Sequence, residues 1–248
     1  MVSMSTDGYE EEPRRRSGWL IPLAIFVVTA GLSALILIYY LAPRPSFTGE
    51  RQSPTARNDL VALSVGSLSL RVPANYLLYP SERQGGEMKE AAMMAVLPDF
   101  RGYIDSDAAD FSGNAQDSPI VFMLVHEDTV NLPEAERFKR IYLNYVVDTR
   151  GKPGPFGLTQ YTFREESGYR GEDLFVGADS RGMVVMHCAR LSQNVPSPNC
   201  LRDVPISRTV ALSYRFKRAH LAQWHDIDQG LLRLMHKFHT HKSAQVAR

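Results

Sequence analysis

Two cysteines in 248 residues are too few for a disulfide scaffold, and 44% hydrophobic content is too high for a disordered chain. Seventeen glycines and fifteen prolines exclude a collagen-like chain, and neither a repeat nor a low-complexity tract occurs. Motifs that carry chemistry are missing as well. There is no G-x-S-x-G elbow for a nucleophilic serine and no C-x-x-C pair for redox work. The most informative absence is one of charge: residues 17–43 contain no Asp, Glu, Lys or Arg.

That uncharged stretch reads GWLIPLAIFVVTAGLSALILIYYL over residues 18–41. As a helix it spans about 36 Å, more than the ~30 Å hydrocarbon core of a bilayer. Trp19 at one end and Tyr39 and Tyr40 at the other suit the two headgroup zones, and Pro22 falls in the first turn, where a missing N–H costs little. Arg14, Arg15 and Arg16 precede the stretch and Arg44 follows it, so the positive-inside rule puts the N-terminus in the cytoplasm. The apolar run is too long for a signal-peptide h-region and has no A-x-A site, so an uncleaved signal-anchor is expected.

The expected organisation has five parts. Residues 1–17 form a cytoplasmic tail, 18–42 a transmembrane signal-anchor helix and 43–58 a Pro/Ser-rich linker. Residues 59–241 form one extracytoplasmic α+β domain, and 242–248 a flexible tail. The location that follows is the inner membrane, single-pass, with the bulk of the chain periplasmic.

Within the domain, period-two alternation predicts strands over residues 68–72, 120–126, 157–164, 173–177, 183–190 and 209–216. Asp179-Ser-Arg-Gly182 supplies a turn, so the strands on either side of it form a hairpin. Residues 133–147 open with Pro and two acids, as a helix start does, and then run toward a strand. Leu221, Trp224, Ile227, Leu231, Leu234 and Phe238 recur at spacings of three and four, which places them on one face of a C-terminal amphipathic helix. Strands in sequence with a terminal helix argue α+β, with a mostly antiparallel sheet packed on that helix.

Cys188 and Cys200 are separated by eleven residues that include a Pro-Ser-Pro turn. In an oxidising compartment they are expected to form a structural disulfide, worth about 3 kcal/mol by loop closure. Four other groups are candidates for chemistry. His236, His239 and His241, with His187 beside Cys188, suggest a metal, although histidines near a helix C-terminus also complement its macrodipole. Asp105, Asp107, Asp110, Asn114 and Asp117 offer hard oxygen ligands, without the glycine position or closing acid of an EF-hand. His126, Glu127 and Asp128 end an apolar strand, where a histidine beside acids can act as a general base. Residues 151–157 (GKPGPFG) are glycine-rich, but two prolines remove N–H groups that a phosphate cradle needs. No cofactor is expected from any of them.

Charge is unevenly spread. Residues 59–207 hold 14 Lys and Arg against 20 Asp and Glu, whereas residues 208–248 hold 8 against 2. The two regions are expected to complement each other inside the fold, with anionic lipid as a further contact for the basic C-terminal region. The compartment holds little nucleic acid, so none is expected as a partner. The function expected is a membrane-anchored periplasmic interaction module, a non-catalytic accessory or assembly subunit of an envelope complex. Two alternatives stand beside it: an envelope hydrolase using His126 and separated acids, and a sensor of a metal or small ligand.

Overall fold

The computed structural model describes residues 18–41, 50–130 and 132–239. The chain divides into two compact units, Met1–Glu50 and Arg51–Arg248.

In the first unit, Leu20–Leu41 form helix α1. Within it Thr29 Oγ1 donates to the carbonyls of Ile25 at 2.9 Å and Phe26 at 3.0 Å. Among the described residues no helix is long and apolar enough to cross a membrane. The span expected over residues 18–42 therefore rests on the sequence.

The second unit starts with the strands β1 (Leu60–Val65) and β2 (Leu68–Pro73), then β3 (Gly86–Met88) and β4 (Glu90–Val96). Helix α2 (Ala108–Ser112), strand β5 (Ile120–Glu127) and helix α3 (Glu134–Arg140) follow. Five strands come next before the last pair: β6 (Lys152–Pro153), β7 (Thr159–Thr162), β8 (Glu172–Asp179), β9 (Gly182–Ala189) and β10 (Asn199–Pro205). Strand β11 (Val210–Lys217) leads through a 3-10 turn (Arg218–Gln223) into helix α4 (Trp224–Phe238).

Eight strands form one sheet in the order β4-β5-β11-β10-β9-β8-β7-β6, antiparallel throughout. A second, three-stranded sheet has β1 between antiparallel β2 and parallel β3. The α+β class, the mostly antiparallel sheet and the C-terminal helix are those expected. The small sheet and the strands β1, β4 and β10 are additions. Strand β4 (EAAMMAV) consists largely of helix-formers, and β10 (NCLRDVP) carries a charged residue at a position whose side chain points inward. Neither pattern signals a strand. The β8–β9 hairpin closes as its turn residues predict: the Asp179 carboxylate accepts from the N–H groups of Arg181 (2.8 Å) and Gly182 (3.1 Å), and Gly182 takes a positive φ.

One face of the large sheet carries the main core. Helix α4 and the small sheet pack there against Met93, Met123, Val125, Leu212, Tyr214, Phe216 and Met186. All six residues of the predicted apolar stripe are buried. Cys188 and Cys200 sit opposite each other on β9 and β10, facing this core, and are disulfide-bonded. Gly230, in mid-helix, gives the Phe100 ring room to lie against the α4 backbone: a Cβ on Gly230 would stand 2.1 Å from that ring. The opposite face is covered only toward its two ends. Over β7–β9, Phe138, Tyr142 and Val146 pack on Tyr161, Phe163, Leu174 and Val185. Over β4 and the start of β5, Leu78, Tyr103 and Phe111 pack with Met94, Ile120 and Phe122.

Candidate interaction surface

Between those two coverings the outward face of β5, β11 and β10 is open. Ladder register builds it in rows. Phe122, Arg215 and Leu201 form one row, and Leu124, Ser213 and Asp203 the next. Further along, His126 stands beside Ala211. Phe122, Leu124, Leu201, Ser213 and Arg215 line a shallow trough of about 250 Å³, with Leu78, Ala92 and Gln52 on the β4 side. The chain reaches that side through Ser53, whose N–H donates to the Leu78 carbonyl at 3.0 Å and whose carbonyl accepts from Arg83 at 2.8 Å. The stretch expected as linker thus joins the domain at the trough wall.

The trough is apolar with one cation at its centre. Leu201 is 42% exposed, and the Arg215 guanidinium lies over the Phe122 ring, 4.7 Å from its centroid. No carboxylate among the described residues pairs with Arg215. Next to it Lys217 is buried and donates to Asn114 Oδ1 at 2.8 Å. Burial, and then repulsion from Arg215, depress the Lys217 pKa.

A polar chain crosses the next rows. His126 Nε2 stands 3.0 Å from Ser213 Oγ, Ser213 donates to Asp203 Oδ1, and Arg137 donates to Asp203 Oδ2 at 3.3 Å. His126 Nδ1 lies 3.1 Å from the Glu127 carbonyl. So the structure brings His126 together with a serine and an acid, but not with Asp105 or Asp107. The order also differs from that of a hydrolytic triad, in which the acid holds the histidine and the histidine takes the serine proton. Here the acid holds the serine. Ser213 lies in mid-strand between two ladder neighbours, which uses its backbone N–H, so it has no free N–H of its own for an oxyanion.

The covered face of the same strands holds a denser polar cluster. Arg202 is 3% exposed and donates to Glu134 at 2.7 and 3.0 Å and to Asp228 on α4. Arg181 (2.6 Å) and the Tyr214 hydroxyl (2.8 Å) also donate to Asp228. Burial opposes the charge on Arg202, yet its hydrogen bonds to Glu134 and its attraction to nearby negative charge hold its pKa above the ordinary value. Burial, and then the Asp228 charge, push Tyr214 well up. Every member is bonded, so the cluster fixes α4 to the β8–β9 turn, β10, β11 and α3.

The other sequence candidates lie apart from the trough floor. Asp107 is buried and paired with Arg101 at 2.6 and 2.8 Å, accepting also from the Ile104 N–H. Asn114 is taken by Lys217, and the carbonyl of Asp117 lies 3.1 Å from His220 Nε2. His187 sits within an aromatic group, 4.5 Å from the Tyr142 ring, with Nδ1 3.3 Å from Glu172. His236 is exposed at the end of α4, His239 bridges to Leu70 of β2, and His241 lies outside the described residues. Among the described residues no three His, Cys, Asp or Glu converge to hold a metal ion. Residues 151–157 form a loop with the short strand β6.

Sequence reading missed Leu201, Asp203, Ser213 and Arg215 as a surface. The near-continuous apolar run of β5 signals burial on both faces. Its second face is covered over Ile120, and the cover gives out toward Leu124 and His126.

No protein-family model and no curated protein sequence matches the chain. Among solved structures, the fold is similar to that of Smlt3025, an immunity protein of the Stenotrophomonas maltophilia type IV secretion system. The TM-score is 0.53 at 17% identity, over 74% of this chain and 94% of that one. The iron-regulated outer membrane lipoprotein FrpD of Neisseria meningitidis aligns over 75% of this chain and 96% of its own, at 11% identity and a TM-score of 0.45. The first likeness defines the fold class: an α+β domain built as that immunity protein is built. The second is too remote to add to it.

Proposed function

We propose that this chain is a membrane-anchored, periplasm-facing protein-binding module, a non-catalytic subunit of an envelope complex, and that its partner covers the open face of β5, β11 and β10. The observation that carries the reading is the trough itself. Three central strands of a large sheet leave Leu201, Leu124 and Phe122 on a solvated floor between two covered ends. Apolar surface at the centre of a sheet, rather than scattered over a rim, is what a partner buries.

Two further features support it. The fold is shared with an immunity protein of a secretion system, which is consistent with an envelope-associated interaction module. The uncharged residues 17–43, with arginines before them, favour an anchor whose N-terminus is cytoplasmic. Residues 1–17, 18–42, 43–58 and 59–241 then serve as tail, span, tether and binding domain.

The test is a pull-down of the full-length chain from native membranes in mild detergent. A stoichiometric partner is expected with the wild type and is lost with Leu201→Glu, while the melting midpoint of the variant is retained. A wild-type chain that elutes alone overturns the reading.

A further inference from the structure

We propose that the trough takes one amphipathic helix of a partner protein, which sets a carboxylate among its apolar side chains to pair with Arg215. The inference rests on the binding role proposed above and specifies the chemistry of the occupant.

The first argument is charge. Arg215 is central to the floor, flanked in register by Phe122 and Leu201; its guanidinium lies over the Phe122 ring at 4.7 Å, and no carboxylate among the described residues pairs with it. By contrast, the cations nearest to it are engaged: Arg137 on Asp203 and Lys217 on Asn114. A guanidinium lying on apolar surface gains most from a planar anion delivered with its own apolar cover, which excludes water from the pair. The acids of this face do not serve, since Asp203 already accepts from Ser213 and Arg137.

The second argument is width. Three neighbouring strands at about 4.8 Å spacing give a floor about 10 Å across, the diameter of one α-helix with its side chains. The covered ends over β4 and over β7–β9 bound that floor on both sides.

The third argument separates a protein from a lipid surface. An anionic bilayer brings many negative groups at once. The floor offers them one cation, with Asp203 in the next row and Glu90 beside His126 on the same face. A single carboxylate set among apolar side chains meets the cation without meeting those acids.

The experiment places the photoreactive residue p-benzoylphenylalanine at Leu201 of the full chain, in cells that produce it, with Arg71 on the small sheet as a control position. The expected result is a protein adduct at Leu201 and not at Arg71. Its cross-linked peptide should carry an Asp or Glu among apolar residues spaced three and four apart. Arg215→Glu should lower the adduct yield at least about tenfold, and reversing the partner's acid to Arg should restore it. An adduct that survives Arg215→Glu, or a peptide without a carboxylate, overturns this inference while the general binding role stands. No protein adduct at all overturns both. Adducts to lipid, with flotation of the domain on phosphatidylglycerol vesicles that Arg215→Gln abolishes, assign the surface to the membrane and overturn the helix.

Discussion

Strands β5, β11 and β10 present two faces of opposite fate. Alternation sends Met123, Tyr214 and Arg202 to one side and Phe122, Ser213, Arg215 and Leu201 to the other. On the first side, helix α4 and the small sheet cover the strands, and Arg202 and Asp228 are buried there paired with each other, each with further partners. On the second, Leu201 is 42% exposed, Phe122 and Leu124 are partly buried, and no carboxylate among the described residues pairs with Arg215. The comparison shows that one charge can sit on the core face where neighbouring elements pair it, and that apolar residues stay on the open face where nothing covers them. The buried side admits one charged strand residue, Arg202, because helices α3 and α4 bring the complementary acids Glu134 and Asp228 to it.

The largest effect that tests this contrast is on the buried side. Asp228→Ala leaves Arg202, Arg181 and Tyr214 without their shared acceptor and should cost about 3–5 kcal/mol in urea unfolding. A loss under about 1 kcal/mol would show that the cluster is hydrated and the face less closed than described. Next is Cys200→Ser, which opens the β9–β10 cross-link and should cost about 2–4 kcal/mol, read as a lower melting midpoint. Gly230→Ala comes third. In an exposed helix it would add stability, but here the new Cβ meets the Phe100 ring, and about 1–3 kcal/mol should be lost.

A smaller effect depends on pH. Hydrogen bonding from Arg101 lowers the Asp107 pKa, so the stability it contributes is full above the ordinary carboxylate range, about pH 4, and is lost as pH falls through the lowered value. Asp107→Asn should cost about 1 kcal/mol at neutral pH, with the partly exposed Arg101 limiting the gain. The gap from wild type should close in acid, and a gap that persists at pH 2 contradicts the assignment. The smallest effect is on the open side. Leu201→Ser should change stability by no more than about 0.5 kcal/mol, as surface substitutions do. A loss of 2 kcal/mol would mean that this face is covered in the isolated chain and would remove the contrast.

Several elements were legible beforehand because their signals are local. The α4 stripe, the β8–β9 turn and the alternation of β11 each depend on residues a few positions apart, and each stands in the fold as read. Strand β4 was not legible: Ala and Met favour a helix, and it is β5 on one side and the Leu77–Glu82 segment on the other that hold it extended. Strand β10 was hidden by Arg202, whose buried position makes sense only with Glu134 and Asp228, 68 and 26 residues away. The histidines were prominent in sequence, yet His126 is the one at the trough, and its neighbours Ser213 and Asp203 lie on two other strands.

What the sequence by itself determined is therefore what short-range periodicity and charge encode: an uncharged apolar segment with basic residues before it, an α+β domain, an amphipathic C-terminal helix and two cysteines spaced for closure. Tertiary structure alone decided which sheet face is covered, that Arg202 is buried between Glu134 and Asp228, and that Arg215 has no carboxylate partner among the described residues. The physical reason is that exposure is a property of what lies on top of a strand. That covering comes from α3, from α4 and from the segments before β5, remote in sequence from the strands they cover or leave bare.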